Sequence, residues 1–473
     1  MSSQSHPRDP HRTPAGRGAR LARAGAVLAA AVAAPWPSVA AVAQDAAGTI
    51  AFVGVNVAPM DAERTIENQT VVVSDGRIAA MGPVDDIPVP EGATVVEGRG
   101  RWLLPGLGEM HAHVPPDREA AERTLFLYLS QGVTTARGML GQPAHLELRE
   151  ALARDEVLGP RLYTTGPSLN GQSIPNPDSA ARAVRHQAGM GYDLLKIHPG
   201  LTRASYDAIA RTAEEVGIEW AGHVPADVGL ARALETGQAS IDHLDQYMEA
   251  IVADGTSTDP SFFFGLNLAG FVEEEKIAEV ARATAEVGVW NVPTQSLIEN
   301  MGLPTPPEEL AALPSMRYMP PATVEGWVSQ KRQILEATLY SPEAARLAVD
   351  VRRRLIKALH DAGAGLLLGS DAPQVFQVPG FSIHQELEIL VESGLTPYEA
   401  LRAGTYNVAD YFDALDEFGT VEVGRVADLL LVEGNPLEDV RNVANLAGVM
   451  VRGRWVPATE IDERLEAIAA SYR

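Results

Sequence analysis

Cysteine is absent from this 473-residue chain, which excludes a disulfide framework and a lipid-modified cysteine anchor alike. Basic charge is scarce: 38 Lys and Arg stand against 62 Asp and Glu, for a formal net charge of −24. Such a surface repels nucleic acid and anionic membranes and chiefly promotes solubility, so no nucleic-acid partner is expected. The apolar run at residues 24–34 is too short for a permanent membrane anchor, so none is expected.

That run sits in an ordered context. Arg17, Arg20 and Arg23 precede it, Pro35 closes it, and Ala41-Val-Ala43 places small residues ahead of Gln44. Charged, apolar, then small is the order of a secretory signal peptide, predicted here over residues 1–43. The alternative is a disordered Ala-rich tail. No adjacent arginine pair occurs, which favours the general export route. Losing this segment leaves the rest of the chain more acidic still, and an exported protein, periplasmic or extracellular, is expected.

What is present is an ordinary globular composition, 46% hydrophobic and 21% charged, long enough for one large domain and a smaller one. Val-rich runs at 49–55 and 70–82, broken by Asp75-Gly76, have the pattern of β-hairpins, and similar runs return at 424–432 and 449–456. A small β domain built from both ends (44–102 and 419–460) is predicted, as a β-sandwich, with a helix or tail at 461–473. Between them, over 103–418, short apolar strands alternate with helical patterns such as 204–216 and 341–362. Eight strands are predicted, at 102–113, 133–137, 161–166, 193–198, 219–224, 240–244, 289–294 and 366–371. The fold class is therefore α/β, a (β/α)₈ TIM-type barrel carrying the small β domain. An irregular, Pro-rich stretch at 297–332 follows the seventh strand and is expected as a lid, a pocket wall or surface ornament.

A barrel gathers its reactive groups at the carboxyl ends of its strands. In Leu103-Leu-Pro-Gly-Leu-Gly-Glu-Met-His-Ala-His-Val114, alternation puts His111 and His113 on one face, half of a divalent-metal site. The fourth strand carries Lys196, the fifth His223, the sixth His243 and the eighth Asp371. Lys196 lies in an apolar run where a bare ammonium is costly to bury without a partner; pairing with Asp193 or another carboxylate is the alternative. His198 shares a strand face with Lys196 and is a candidate substrate contact, or a packed structural histidine. His384 opens a helix after the eighth strand, and His145, His186 and His360 read as solvated helix positions.

Taken together, Leu104-Pro-Gly-Leu with His111-Ala-His113, Gly132-Val-Thr-Thr135, Leu195-Lys-Ile197, Gly222-His223, Ile241-Asp-His243, Gly369-Ser-Asp-Ala372 and Ala427-Asp-Leu-Leu resemble the metal-dependent amidohydrolase superfamily. More narrowly, the chain resembles the branch around imidazolonepropionase-like hydrolases and the binuclear, prolidase-like Xaa-Pro dipeptidases. The resemblance implies that His111, His113 and Asp371 bind one metal and His223 and His243 a second, with zinc as the expected metal and a carboxylated Lys196 bridging the two ions. It implies Asp371 as the catalytic base and then acid, and cleavage of an amide-type C–N bond in a short peptide or N-acyl amino acid. Alternatives are a mononuclear cyclic amidohydrolase of imidazolonepropionase type, an ester or lactone hydrolase, and a non-catalytic metal-binding homologue. Pro225 stands where dipeptidase-like relatives carry a substrate-gripping Tyr, so the dipeptidase substrate does not transfer directly. Arg137 is the candidate to hold a substrate carboxylate instead. A homo-oligomer is compatible with the sequence.

Overall fold

The computed structural model describes residues 48–472. The predicted signal segment lies outside the described residues. The Val-rich amino-terminal runs form β1 (Ile50–Val57), β2 (Ile66–Ser74) and β3 (Arg77–Pro83). Asp75 and Gly76 turn between β2 and β3 with φ of 51° and 75°, the left-handed geometry a tight hairpin requires. β4 (Thr94–Glu97) and β5 (Trp102–Pro105) lie parallel to successive halves of β1.

The predicted first barrel strand, 102–113, is in fact two. The chain breaks at Gly106, where a Cβ would lie 2.1 Å from Thr134 Oγ1, and passes into β6 (Leu107–Ala112). Only a glycine permits that approach. β6 begins a parallel array with β7 (Val133–Gly138) and β8 (Arg161–Thr164). A second parallel array holds β9 (Leu194–Ile197), β10 (Glu219–Gly222), β11 (Ser240–Asp242) and β12 (Trp290–Val292). Backbone bonds join the two arrays, with Gly166 N donating to Leu194 O (3.0 Å) and Leu169 N to Lys196 O (2.9 Å).

The predicted eighth strand, 366–371, makes a single β-bridge, from Leu366 to Asn291. Its backbone nevertheless bonds both flanks: Leu367 N donates to Asn291 O (2.8 Å), and Met110 N to Leu368 O (2.9 Å). The ladder is interrupted because the buried Glu109 carboxylate takes the Ser370 N–H (2.9 Å) and Asp371 turns to a φ of 64°. A side chain here replaces strand bonds.

β13 (Leu429–Val432), β14 (Leu446–Val451) and β15 (Arg454–Pro457) return to the first sheet, β13 pairing antiparallel with β5. The order is β15-β14-β13-β5-β1-β2-β3, with β4 against β1. At the far edge Ile78 N bonds Arg425 O (2.9 Å), in the segment leading to β13, so the sheet folds back around Phe52, Val71, Leu103, Leu429 and Met450. The pairing is thus one folded sheet, where two facing sheets were predicted.

Helices pack around the parallel arrays. Arg203–Val216 is capped by Thr202 and stopped by Gly217 at a φ of 72°, and Pro342–Asp361 is capped by Ser341. The Pro-rich stretch is not irregular. It follows on from the helix Gln295–Gly302 and forms the helical segments Pro307–Ala311, Pro314–Tyr318 and Pro321–Leu335, each begun by its proline. Proline at a first helical position starts a helix rather than breaking one. Lys331 pins this unit, its buried Nζ donating to Leu303 O (2.7 Å) and Asn300 O (2.5 Å). The chain closes with the helix Ala458–Ala470. Among the described residues no helix is long and apolar enough to cross a membrane.

Candidate active site

The strand ends bring six predicted residues together. His111 is buried at the end of β6, and His113 follows it with rings 5.4 Å apart. Asp371 Oδ1 lies 2.6 Å from His113 Nε2 and 3.5 Å from His111 Nε2, while its Oδ2 is 3.9 Å from His243 Nε2. The His243 ring stands 4.7 Å from His111 and 4.6 Å from His223. Lys196 Nζ, fully buried, is 3.2 Å from His111 Nε2.

The outer ring nitrogens are held so that the inner ones face the centre. Asp245 Oδ2 takes His223 Nδ1 at 2.7 Å, an acceptor that keeps the proton on Nδ1. Thr294 Oγ1 donates to Pro293 O (2.8 Å) and so accepts from His243 Nδ1 (2.8 Å). Asp242 Oδ2 is 3.1 Å from His111 Nδ1, off the line of a hydrogen bond. In the His223 and His243 rings, an Nδ1 that donates outward leaves Nε2 as the atom able to ligate a metal. Burial first, then the neighbouring cations and rings, hold His111 and His243 well below the ordinary imidazole range.

Whether this donor set suits a metal is decided at Asp371. Its Oδ1 is buried without a hydrogen bond despite the imidazole nitrogens beside it. Oxygen and nitrogen lone pairs that converge without a proton between them suit a shared cation. His111, His113 and Asp371 offer ligand atoms all within 4.8 Å of one another. The residues fit a divalent ion.

The model of the amidohydrolase family matches residues 102–456. The chain belongs to the amidohydrolase family. It is 23% identical to an ochratoxinase of Aspergillus niger over 474 residues, covering 86% of this chain and 85% of that one. It is 24% identical to an imidazolonepropionase of Pseudomonas entomophila over 380 residues, covering 77% and 87%. A Xaa-Pro dipeptidase solved with bound methionine shares the fold at a TM-score of 0.63 and 21% identity, covering 86% of this chain and all of that one.

Around the centre of this amidohydrolase lies a charged layer that motif reading passed over. Asp242, fully buried, accepts from Arg137 Nη2 (3.1 Å) and Ser240 Oγ (3.1 Å), and its Oδ2 is 3.5 Å from Lys196 Nζ. Burial alone would raise the Asp242 pKa, but Arg137 and Lys196 overturn that and hold it below its usual value. Burial lowers Lys196, with Asp242 and Asp371 opposing.

Arg137 is therefore misassigned as a substrate contact. It is fully buried, with Nε on Met110 O (2.7 Å), Nη1 on Ser240 Oγ and Tyr411 Oη (2.9 Å each) and Nη2 on Asp242. It is the counter-ion beneath the site. His198 is half-buried beside the centre, its ring 5.0 Å from His223 and its Nδ1 2.6 Å from Ser168 Oγ. His145, predicted to be solvated, is buried within the cap of the helix Pro143–Ala153, bonding Gln142 N (3.2 Å) and Pro115 O (3.3 Å). His384 sits in the helix Phe381–Glu392, where burial pushes it down to about 4.

Gly222 makes room for Lys196. Its φ is 119°, and a Cβ there would lie 2.6 Å from Ile197 O and 2.9 Å from Lys196 Cδ. Gly222→Ala is expected to displace the Lys196 stem and weaken divalent-metal affinity about tenfold or more, read by competition with a chromogenic chelator. Unchanged affinity would show that the placement of Lys196 is immaterial.

Strain is concentrated here too. His243, Leu244, Thr294 and Asp371 all hold positive φ, 62°, 53°, 45° and 64°. Such conformations persist only where surroundings over-determine them. Buried Arg352 donates from Nη2 to His243 O and from Nε to Gln295 Oε1 (2.8 Å each). Glu386 then receives Gln295 N (2.9 Å) and Ser296 N (2.7 Å) at the start of the helix Gln295–Gly302.

Burial pushes Glu386 up to about 7 against these bonds. A raised carboxyl contributes stability that is complete below about 4.5 and is lost as pH climbs through about 7. Relative to Glu386→Gln, the wild type should therefore lose on the order of 3 kcal/mol between pH 4 and 8, measured by denaturant melts. A pH-independent difference would contradict the buried, raised carboxyl.

Glu109, Asp242, Asp245, Thr294, Arg352 and Glu386 are the site's unforeseen members. Glu109 and Asp242 stood inside the quoted motifs, next to or two residues from the histidines. For the other four, single-chain patterning carries no signal, because their partners are distant in sequence.

Proposed function

We propose that this amidohydrolase is an exported, divalent-metal-dependent enzyme that hydrolyses an amide-type C–N bond in a short peptide or an N-acyl amino acid. The reading includes a closed (β/α)₈ barrel, which the backbone bonds of segment 366–371 to both neighbours support. The observation that carries it is the convergence of His111, His113 and His243 on Asp371, whose Oδ1 is buried without a hydrogen bond, with Lys196 against His111 and the His223 ring beside His243. His111, His113 and Asp371 would hold one ion and His223 and His243 a second, with a carboxylated Lys196 between them, zinc being the expected metal.

Bound there, the ions supply Lewis acidity that polarises a carbonyl and acidifies water. This chain's part is positional and protolytic. Asp371 takes the proton from the attacking water and returns it to the departing nitrogen. Asp245 and Thr294 keep the His223 and His243 rings oriented, and the Arg137–Asp242 pair balances charge beneath Lys196. His198, steadied by Ser168, is placed to hydrogen-bond the substrate. The test is amine release from a panel of dipeptides and N-acyl amino acids by the metal-loaded protein. Turnover abolished by a chelator and restored by metal is expected; no turnover of any member would overturn the reading.

A mononuclear cyclic amidohydrolase is the second reading. Among the described residues, only His111, His113 and Asp371 group so tightly, which favours it, as does the imidazolonepropionase relative. A non-catalytic metal-binding homologue is the outcome if metal binds and the panel, cyclic amides included, stays intact. Export rests on the residue pattern at 1–43 and is tested by sequencing the amino terminus of the cell-processed protein.

A further inference from the structure

Phe264 lies on the long segment between β11 and β12, with its ring 5.3 Å from that of His243 and tilted at 46°. Phe263 and Phe264 both hold positive φ, 40° and 55°, and Gly265 follows at 78°, where a Cβ would lie 2.5 Å from Met248 Cβ. Two bulky side chains in succession in the left-handed region are disfavoured, because Cβ crowds the backbone carbonyl. The turn parts the two rings. Phe263 packs on the apolar cluster of Leu297, Met316, Trp327 and Phe376, built largely by the Pro-rich helical unit. Phe264 meets Phe263 edge-on at 5.1 Å and points to His243 instead. It is half-buried and belongs to none of the apolar clusters among the described residues. Apart from that one edge contact with Phe263, the Phe264 ring is held in a strained turn against a candidate metal ligand and outside the apolar clusters of the described residues. The guanidinium groups nearest the centre, those of Arg137 and Arg352, are fully buried and bonded inward.

We propose that Phe264 forms an apolar subsite beside His243 that takes an aromatic or other flat, uncharged group of the substrate next to the scissile bond. This rests on the hydrolase reading above. His198, across His223, makes the opposite end polar, so the site is graded from one flank to the other.

The test compares N-benzoylglycine with N-acetylglycine and N-acetylphenylalanine with N-acetylalanine, on metal-loaded wild type, Phe264→Gly and Phe264→Tyr. The wild type should prefer the aromatic member of at least one pair about tenfold or more in kcat/KM. Phe264→Gly, whose backbone suits the positive φ, should lose that preference, and Phe264→Tyr should keep it. No preference in the wild type, or the same preference in Phe264→Gly, overturns the subsite. Calorimetric binding of benzoate and phenylalanine against acetate and alanine separates the two levels. Hydrolysis without discrimination in turnover or in binding sinks the subsite alone. Aromatic-selective binding that Phe264→Gly abolishes, without hydrolysis of any substrate, sinks the hydrolase reading and leaves the subsite standing. Neither hydrolysis nor selective binding sinks both.

Discussion

Asp371→Asn is expected to fold normally, retain metal and lose about 10³-fold in kcat, the range that removing a general acid–base group costs. Asparagine suits the test because it is isosteric and, like aspartate, tolerates the left-handed φ of 64° that position 371 holds. Asp371 Oδ1 has no hydrogen bond to lose, so stability should change little. KM should move far less than kcat, because the interaction removed is one made as the proton is transferred. Wild-type kcat at equal metal content would end the role assigned to Asp371.

Arg137→Met is expected to cost about 3–5 kcal/mol in denaturant unfolding, since it removes the guanidinium from the buried Asp242 carboxylate and leaves it beside Lys196, Ser240 and His111. The double variant Arg137→Met, Asp242→Leu should recover much of that loss, because the uncompensated charge goes with its partner. A residue that grips a substrate carboxylate behaves differently: its loss raises KM and leaves unfolding alone. That pattern would contradict the burial of Arg137 beneath the site.

The contrast at Arg137 shows what a sequence of this kind discloses. His111, His113, Lys196, His223, His243 and Asp371 were legible because a strand's two-residue period and a barrel's polarity place strand-end side chains at a common point. Arg137 ends a strand as well, but alternation does not say whether a side chain points up toward the mouth or lies down among its neighbours. Its partners Ser240, Asp242 and Tyr411 lie more than a hundred residues away, and only the fold unites them. Arg352 on His243 O and Glu386 on Ser296 N, 109 and 90 residues apart, are likewise united only by the fold.

The fold was misread where backbone geometry overrode composition. Pro105-Gly106 looked like a bend within one strand and is a transfer between two sheets, because Thr134 leaves no room for a Cβ. The Pro-rich stretch 297–332 was expected to be irregular, and its prolines are helix starters. The eighth strand was foreseen in place but not in form, since the Glu109 carboxylate takes over its hydrogen bonds.

The decisive measurement is metal content per chain of the protein lacking residues 1–43, by plasma mass spectrometry, for wild type and Lys196→Ala, with and without bicarbonate. About two metals per chain in the wild type, falling to one or none in Lys196→Ala, is the expected result for a carbamate-bridged pair. One metal per chain, indifferent to Lys196, would replace the binuclear centre with a mononuclear one. No metal under replete conditions would contradict the metal centre itself and the hydrolase built on it.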